Sequence, residues 1–383
     1  MRILLATAVA IAPLLAATGA MAEVVITTVR TTPITTSNAT GAGTADDIRI
    51  SGSGGISVTS GTAVTVDSDH DFTMEGQTSI TMSPAADGAT ALLINPGVTS
   101  NVTIGSSIAI VDTIDTYPDN DNDGDIDGAW ATGSGRYGIR YAAGAPVTGN
   151  LTISSFGSIG VDGNDSYGIS IESGLIGSIQ SQGAIRVFGD NSVAIRTLGP
   201  ITGDVMLLGS VTARGQNTSA ISIGGDVGGR LTLQGDINAT GYRYTSRGND
   251  AFEAGLEAED KLQGGPAVII AGSIAGGVVV DRPPTDTSET NTDEDADGIN
   301  DGTEGTGSIN SYGAAPAILV GSATQSITLG VVGTDDNAYG FINRGQITGQ
   351  GIYDGIAANA VVFGGNPGQS VIIDGGASLG RSG

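Results

Sequence analysis

The sequence predicts an all-β, single-domain parallel β-helix (β-solenoid), a rod in which each turn of the chain stacks on the previous turn. Three observations favour this fold: a repeat with a spacing of 26 residues, apolar residues that alternate along short segments, and glycines held at a constant register. The repeat is clearest at Ile169, Ile195 and Ile221. The same spacing links four further sets: Leu175, Ile201 and Val227; Ile179, Val205 and Leu231; Ile185, Val211 and Ile237; Val187, Ala213 and Ala239.

The N-terminal segment, 1–22, is predicted to be a secretory signal peptide. Arg2 gives a positive start, residues 3–17 form an apolar run, and residues 20–22 (Ala-Met-Ala) supply the small residues of a cleavage site. The apolar run is shorter than the roughly 20 residues that a membrane-spanning helix needs. We therefore expect an exported protein, with residues 23–43 as a lead-in and residues 44–383 as the solenoid.

Each repeat is expected to consist of strands joined at sharp corners. Apolar residues alternate with polar ones, as in Leu231-Thr232-Leu233, and this period of two is typical of strands with one buried face. The repeated glycines are expected to supply the positive φ angles that corners need; they are Gly183, Gly209, Gly235, Gly189, Gly215 and Gly241. Asn191 and Asn217, which are separated by the same spacing, predict a stacked asparagine ladder. At about 24 residues a turn and about 4.8 Å between strands, the rod should be on the order of 55 Å long.

Three segments interrupt the repeat: the first insertion (112–135), the second (241–265) and the third (281–311). Each is expected to precede the first strand of a new turn, so that all three leave the rod at one corner. They hold 21 of the 40 acidic residues, and insertions gathered on one face of a solenoid often form its binding face. A surface helix is predicted in the second insertion, over Ala251–Leu262, with Asn249-Asp250 as its cap.

Two insertions have the residue spacing of a calcium-binding loop. In the third insertion, oxygen ligands stand at positions 1, 3, 5, 9 and 12 of an EF-hand-type loop, with Ile299 offering its backbone carbonyl at position 7. Those five side chains are Asp293, Asp295, Asp297, Asp301 and Glu304. The first insertion repeats only the first half of the pattern, with Asp119, Asp121, Asp123, Asp125 and Asp127. Trp130 stands where the last carboxylate belongs, so we expect a weaker site or one completed by a neighbour.

The Asp-rich loops resemble the calcium repeats of thrombospondin type 3 more than a pair of EF-hands. The alternative is a solvated acidic loop that binds no specific ion. Hard divalent cations take six to eight oxygen ligands, and extracellular calcium is concentrated enough to fill even weak sites. We therefore expect calcium (Ca²⁺) as the cofactor, ordering loops whose carboxylates otherwise repel each other.

The composition argues against several classes of function. The chain has a formal net charge of −25, a single lysine and no cysteine. Such a chain repels phosphate backbones, so no nucleic-acid partner is expected, and it has neither a disulfide framework nor a cysteine metal site. The single histidine, His70, lies in a polar turn and suggests no catalytic triad. Scattered arginines and sparse aromatic residues also disfavour a polysaccharide-active β-helix enzyme, which stays an alternative.

The repeat at 218–235 (TSAISIGGDVGGRLTLQG), the signal peptide and the acidic, cysteine-free composition resemble the passenger region of bacterial autotransporters. The likeness covers about residues 40–380 and is one of architecture and repeat style. It implies passage across the inner membrane unfolded, then display as a β-helix at the outer membrane and cell surface of a Gram-negative bacterium, or release from it. Autotransporters end in an outer-membrane barrel, and no barrel-like strands precede Gly383. We expect that translocator to lie outside this chain, either because the chain is a fragment or because another protein anchors it.

These observations together predict a cell-surface or secreted passenger with an adhesive or structural role rather than an enzyme. The expected partners besides calcium are a host or neighbouring-cell surface, or further copies of the chain. In the latter case, the protein would be a self-associating surface-layer or matrix component in which uncapped ends stack.

Overall fold

The computed structural model describes residues 23–114, 127–285, 287–288, 290–295, 299–333, 338–364 and 368–379. Within these residues the chain winds repeatedly through three sheets, named A, B and C, and one passage through the three is called a coil. Every pairing between the named strands is parallel. The predicted parallel β-helix is confirmed.

Sheet A contains eleven of the described strands. In stacking order they are β1 (Val24–Ile26), β4 (Ile48–Ile50), β7 (Phe72–Met74), β10 (Val102–Ile104), β14 (Leu151–Ile153), β18 (Ile179–Ser181), β21 (Val205–Leu207), β24 (Leu231–Leu233), β27 (Val278–Val280), β31 (Phe341–Asn343) and β35 (Ala377–Ser378). With about 4.8 Å between neighbouring strands, the stack is on the order of 50 Å long.

Sheets B and C each contain ten described strands. Sheet B stacks β2 (Val29–Arg30), β5 (Gly55–Ser57), β8 (Ser79–Met82), β11 (Ser107–Ile110), β15 (Ser158–Asp162), β19 (Ala184–Phe188), β22 (Val211–Arg214), β25 (Asp236–Thr240), β28 (Ser308–Tyr312) and β32 (Gln346–Gln350). Sheet C stacks β3 (Ile34–Thr35), β6 (Thr62–Val66), β9 (Thr90–Ile94), β12 (Tyr137–Tyr141), β16 (Tyr167–Ile171), β20 (Val193–Thr197), β23 (Ser219–Ile223), β26 (Val268–Ile270), β29 (Ile318–Val320) and β33 (Val361–Phe363).

Short strands close the corner between sheets C and A. They form two pairs, β13 (Val147–Thr148) with β17 (Leu175–Ile176), and β30 (Ile327–Leu329) with β34 (Val371–Ile373). The described helices are α1 (Asp250–Gly255) and two 3-10 turns, Thr36–Asn38 and Asp301–Thr303. Among the described residues, no helix has the length and apolar character that a membrane span requires.

The 26-residue repeat becomes a register of stacked side chains. Ile169 lies beside Ile195, and Ile195 lies beside Ile221, in sheet C. The other predicted sets stack in the same way in sheets A and B and along the corner between C and A. These apolar residues are buried in one continuous core inside the coils, because alternate side chains of each strand point inward.

The repeated glycines serve two different purposes, only one of which was expected. Gly189 and Gly215 have φ angles of 144°, which confirms the positive φ predicted for them. Gly209 has no positive φ; a Cβ there would lie 1.9 Å from the carbonyl oxygen of Gly183 in the preceding coil. The prediction of positive φ was therefore wrong at Gly209, and equally at Gly183, Gly235 and Gly241, which have no positive φ. A Cβ at any of these four positions would lie 2.2 Å or less from a backbone carbonyl oxygen, so a close approach of backbones explains these glycines.

The predicted asparagine ladder is present. Asn191 and Asn217 have φ angles of 55° and 56°, in the left-handed region that asparagine tolerates better than most residues. The side-chain amide of Asn217 donates a hydrogen bond to Oδ1 of Asn191, with a distance of 3.3 Å. The corner is thus held by the backbone conformation and by a side-chain bond between coils.

The sequence predicts that all three insertions leave the rod at one corner, and this prediction is wrong. The first and second insertions lie between sheets B and C. The third lies between sheets A and B and ends at Gly307, because Ser308–Tyr312 is already strand β28. This strand has a single aliphatic residue, Ile309, so no alternation of apolar residues marks it. The third insertion is called 281–307 below.

Two further boundaries differ from expectation. The stack begins with β1 at Val24, inside the segment expected to be a lead-in, because very short strands leave little alternation to detect. Helix α1 ends at Gly255 instead of Leu262, since Leu256 is already extended with φ −63° and ψ 132°. Its predicted cap is confirmed: Asn249 Oδ1 accepts hydrogen bonds from the backbone N–H groups of Ala251 and Phe252.

Candidate metal centres

Three of the predicted calcium ligands converge in the third insertion. Asp293, Asp295 and Asp301 each place a carboxylate oxygen within 4.8 Å of the other two. Calcium–oxygen distances are about 2.4 Å, so oxygens at this separation can contact one ion together. Asp297 lies outside the described residues. We name this group of three the loop cluster.

The backbone of the third insertion positions the loop cluster. Asp301 begins the 3-10 turn Asp301–Thr303, which is capped by the side chain of Asn300. The Asp301 carboxylate accepts a hydrogen bond of 3.0 Å from the backbone N–H of Glu294, and the N–H of Asp301 donates to the carbonyl of Thr292 at 2.9 Å. These bonds bring the ends of the predicted ligand loop together.

Two other predicted ligands of this loop lie close to the cluster in sequence but are not part of it. Ile299 has a buried hydrocarbon side chain, so its predicted contribution is its backbone carbonyl oxygen alone. Glu304 follows the 3-10 turn directly, and its carboxylate does not belong to the group of three. Of the five side-chain ligands that the spacing predicts, three form the loop cluster, Glu304 lies outside it, and Asp297 is not among the described residues.

Of the five predicted ligands in the first insertion, the structure describes only Asp127. Asp119, Asp121, Asp123 and Asp125 lie outside the described residues. Asp127 is 7% exposed and lies with Glu257 and Glu259 of the second insertion, all three offering oxygens within 4.8 Å of one another. We name this group the bridging cluster. The two glutamates were not predicted, because they lie far from Asp127 in the sequence; the acidic content of the second insertion was the available signal.

Direct contacts join the first and second insertions beside the bridging cluster. The backbone N–H of Gly128 donates to Glu259 at 3.5 Å, and the Arg243 guanidinium donates to the carbonyl of Gly128. The same guanidinium lies over the ring of Trp130, 4.0 Å from its centroid. The insertions arise from strands β11 and β25, so they fold towards each other across β15, β19 and β22.

A buried ion pair fixes the base of the first insertion. Asp112 and Arg136 lie 3.4 Å apart, and Asp112 accepts hydrogen bonds from the backbone of Thr113, Thr132 and Gly133. Burial raises the pKa of Asp112, but the hydrogen bonds to Gly133, Thr113 and Thr132 outweigh that effect and lower the pKa to about 2. Asp112 is therefore ionised at neutral pH and ties the start of the insertion to its end.

Comparisons with known proteins identify no relative of this chain. No protein-family model, no curated protein and no solved structure matches it.

Proposed function

We propose that this chain is an exported β-solenoid with an adhesive or structural role, whose acidic insertions bind calcium. The observation that carries the calcium part of the proposal is the loop cluster. Asp293, Asp295 and Asp301 occupy positions 1, 3 and 9 of the predicted loop, and one carboxylate oxygen of each lies within 4.8 Å of the other two. Like charges at this distance repel each other, so a cation between them would stabilise the loop.

Calcium suits the chemistry of both clusters better than a transition metal does. Every side chain in the two clusters is a carboxylate, and the chain has no cysteine and one histidine. Oxygen-only sites favour calcium, magnesium or manganese, whereas zinc and copper favour imidazole and thiolate ligands. Calcium also tolerates irregular coordination, while magnesium demands a near-ideal octahedron.

The bridging cluster gives calcium a second role, which is to hold two insertions together. Asp127 belongs to the first insertion, while Glu257 and Glu259 belong to the second. An ion shared by the three carboxylates would fix the insertions above sheet B. In this proposal, Glu257 and Glu259 are the neighbours that complete the site of the first insertion, which is the second of the two alternatives that its sequence left open.

Export and display are proposed on the sequence together with the fold. The N-terminal segment, 1–22, has the composition of a signal peptide, and the chain folds as the parallel β-helix that its resemblance to autotransporter passengers implies. A rod of stacked coils presents a long outer surface, which suits adhesion or a structural coat.

Isothermal titration calorimetry of calcium into residues 23–383 tests the metal proposal. We expect saturable binding that Asp295→Asn with Asp301→Asn weakens at one class of site and Glu257→Gln with Glu259→Gln weakens at another. The matched control is Glu23→Gln with Glu75→Gln, which removes two exposed charges on sheet A and should leave binding unchanged. Equal binding in all these variants would contradict the proposal.

Export is tested separately by sequencing the N-terminus of the protein recovered from outside producing cells. The proposal expects the mature chain to start at Glu23. Protein that keeps Met1 and stays inside the cells would overturn the export proposal and leave the metal proposal standing.

A further inference from the structure

A pocket of about 280 Å³ opens on the outer face of sheet B, beneath the first and second insertions. Its floor consists of outward-facing residues of β15, β19 and β22, including Arg186, Phe188 and Arg214. Trp130 of the first insertion and Arg243 of the second form its walls. Pockets for drug-sized ligands have volumes of about 300–1,000 Å³, so this pocket, at the lower end of that range, suits a single ring-sized group.

Positive charge is concentrated in this pocket, although the chain as a whole carries a net charge of −25. Three arginines line it, and the acidic residues beside them are partly neutralised. Asp162 pairs with Arg186 at 3.4 Å, and Asp112 pairs with Arg136 at 3.4 Å. Among the described residues, Arg214 and Arg243 have no carboxylate oxygen within salt-bridge distance. An anionic group would therefore meet two guanidinium groups that no described carboxylate already holds.

Aromatic rings hold the three guanidinium groups in place. Arg243 lies over the Trp130 ring at 4.0 Å, while Arg186 and Arg214 lie over the Phe188 ring at 4.8 and 5.4 Å. Trp130 and Phe188 are neighbours, with 6.2 Å between ring centroids. A guanidinium stacked on a ring loses little further freedom when it binds a carboxylate, and its planar N–H groups match the two carboxylate oxygens.

The Arg243 guanidinium is partly buried, and one of its N–H groups, at Nε, is unpaired within the described residues. Burial lowers the pKa of Arg243, and only more distant charges, with Asp260 first among them, act in the opposite direction. A carboxylate in the pocket would compensate this partly desolvated cation at close range.

A second, polar cavity lies beside the pocket on the same sheet. Arg214 lines both the pocket and a second cavity of about 300 Å³. The second cavity presents hydroxyl and amide groups, including those of Thr212, Asn238, Asn310 and Tyr312. Such groups pair with the hydroxyls of a sugar chain, whereas an inorganic anion would need neither aromatic walls nor a polar extension.

We infer that this pocket binds a carboxylated sugar within a glycan, with the sugar ring beside the edges of the Trp130–Phe188 pair and its carboxylate on Arg214 and Arg243. The inference rests on the proposed adhesive role, because it names the class of ligand to which the surface would adhere. A hexuronate and a sialic acid share this chemistry. Trp130 and Arg243 are held by insertions that meet at the bridging cluster, so calcium should strengthen binding of the sugar.

Trp130 is the single tryptophan of the chain, so its fluorescence reports directly on the pocket. The test titrates residues 23–383, in the presence of calcium, with 3′-sialyllactose and with trigalacturonate. Lactose and methyl-esterified trigalacturonate are the uncharged controls. We expect a saturable change in the tryptophan emission with at least one acidic sugar and no change with its neutral counterpart. Binding of 3′-sialyllactose would identify a sialic acid as the ligand, and binding of trigalacturonate would identify a hexuronate.

Two variants decide whether the arginines are responsible. Arg214→Gln should weaken binding about tenfold, as the loss of a charge-assisted hydrogen bond does. Arg49→Gln makes the same change of charge on sheet A and should have no effect. Equal responses to acidic and neutral sugars, no response to either acid, or unaltered affinity in Arg214→Gln would overturn the inference.

The outcomes for calcium and for sugar are separable. If calcium binds as proposed and neither acidic sugar does, the inference about the pocket is wrong and the metal proposal stands. If an acidic sugar binds equally well with calcium and with a chelator, the pocket is confirmed and the stabilising role of the bridging cluster is wrong.

Discussion

Asp112 and Arg136 form a buried ion pair, 3.4 Å apart, with side chains only 5% and 3% exposed. Asp112 follows β11 at the start of the first insertion, and Arg136 immediately precedes β12 after it. Arg136 also donates to backbone carbonyls of Ala85, Ala86 and Asp162, which belong to neighbouring coils. This pair therefore connects the first insertion to the stack on both sides.

Asp112→Asn should destabilise the base of the first insertion. The substitution removes the charge that faces buried Arg136 and weakens the acceptor for the Thr132 and Gly133 amides, at a cost of about 2 kcal/mol. Hydrogen exchange of a peptide that contains Thr132 and Gly133 should accelerate by about thirtyfold. The control Glu23→Gln breaks an exposed ion pair with Arg49 and should leave this peptide unchanged. Equal protection in Asp112→Asn and in the wild-type protein would contradict the account.

The same carboxylate should make the first insertion sensitive to acid. The pKa of Asp112 is lowered from 3.8 to about 2 in the folded protein, so its stabilisation is complete above pH 3.8 and disappears as the pH falls through about 2. The difference in melting temperature between the wild-type protein and Asp112→Asn should therefore shrink over this interval. A difference that stays constant from pH 5 down to about 2 would show that the charge of Asp112 contributes nothing.

Gly209→Ala should disrupt the stacking of two coils. The added methyl group would lie 1.9 Å from the carbonyl oxygen of Gly183, which forces the backbones apart at a cost of about 1–3 kcal/mol. Gly76→Ala is the matched control, because nothing lies within 4 Å of a Cβ at that position. Thermal unfolding followed by circular dichroism should separate the two variants. A Gly209→Ala protein as stable as the control would refute the close-approach explanation.

Asn217 should tolerate glycine better than alanine. Its φ of 56° is in the left-handed region, which costs a residue with a Cβ about 1–2 kcal/mol. Both substitutions remove the hydrogen bond to Asn191, so the difference between them isolates the backbone conformation. We expect Asn217→Ala to unfold at a lower temperature than Asn217→Gly, and the opposite order would be inconsistent with this corner geometry.

The repetitive part of the fold was predictable because each coil obeys the same physical constraint. Inward side chains must stack on their equivalents, so Ile195 had to lie between Ile169 and Ile221, and the spacing alone revealed it. The asparagine ladder follows from the same rule. The proximity of the three carboxylates in the loop cluster could likewise be predicted from local spacing, because a short loop brings such residues together.

Contacts between distant insertions could not be predicted in the same way. The bridging cluster joins Asp127 to Glu257 and Glu259, and no periodicity relates these positions. The sequence contained one signal of the pocket on sheet B. Phe188 and Arg214 are separated by one repeat, so they lie side by side on the outer face of that sheet. The position of the third insertion was misjudged because strand β28 is mostly polar.

The most direct test of the account is thermal unfolding of residues 23–383, followed by circular dichroism, with excess calcium and with a chelator. Magnesium at equal ionic strength controls for screening of charge. We predict that calcium raises the melting temperature, that magnesium does not, and that Asp295→Asn with Asp301→Asn reduces the increase. Identical melting curves in calcium, magnesium and chelator would contradict the claim that calcium orders the acidic insertions.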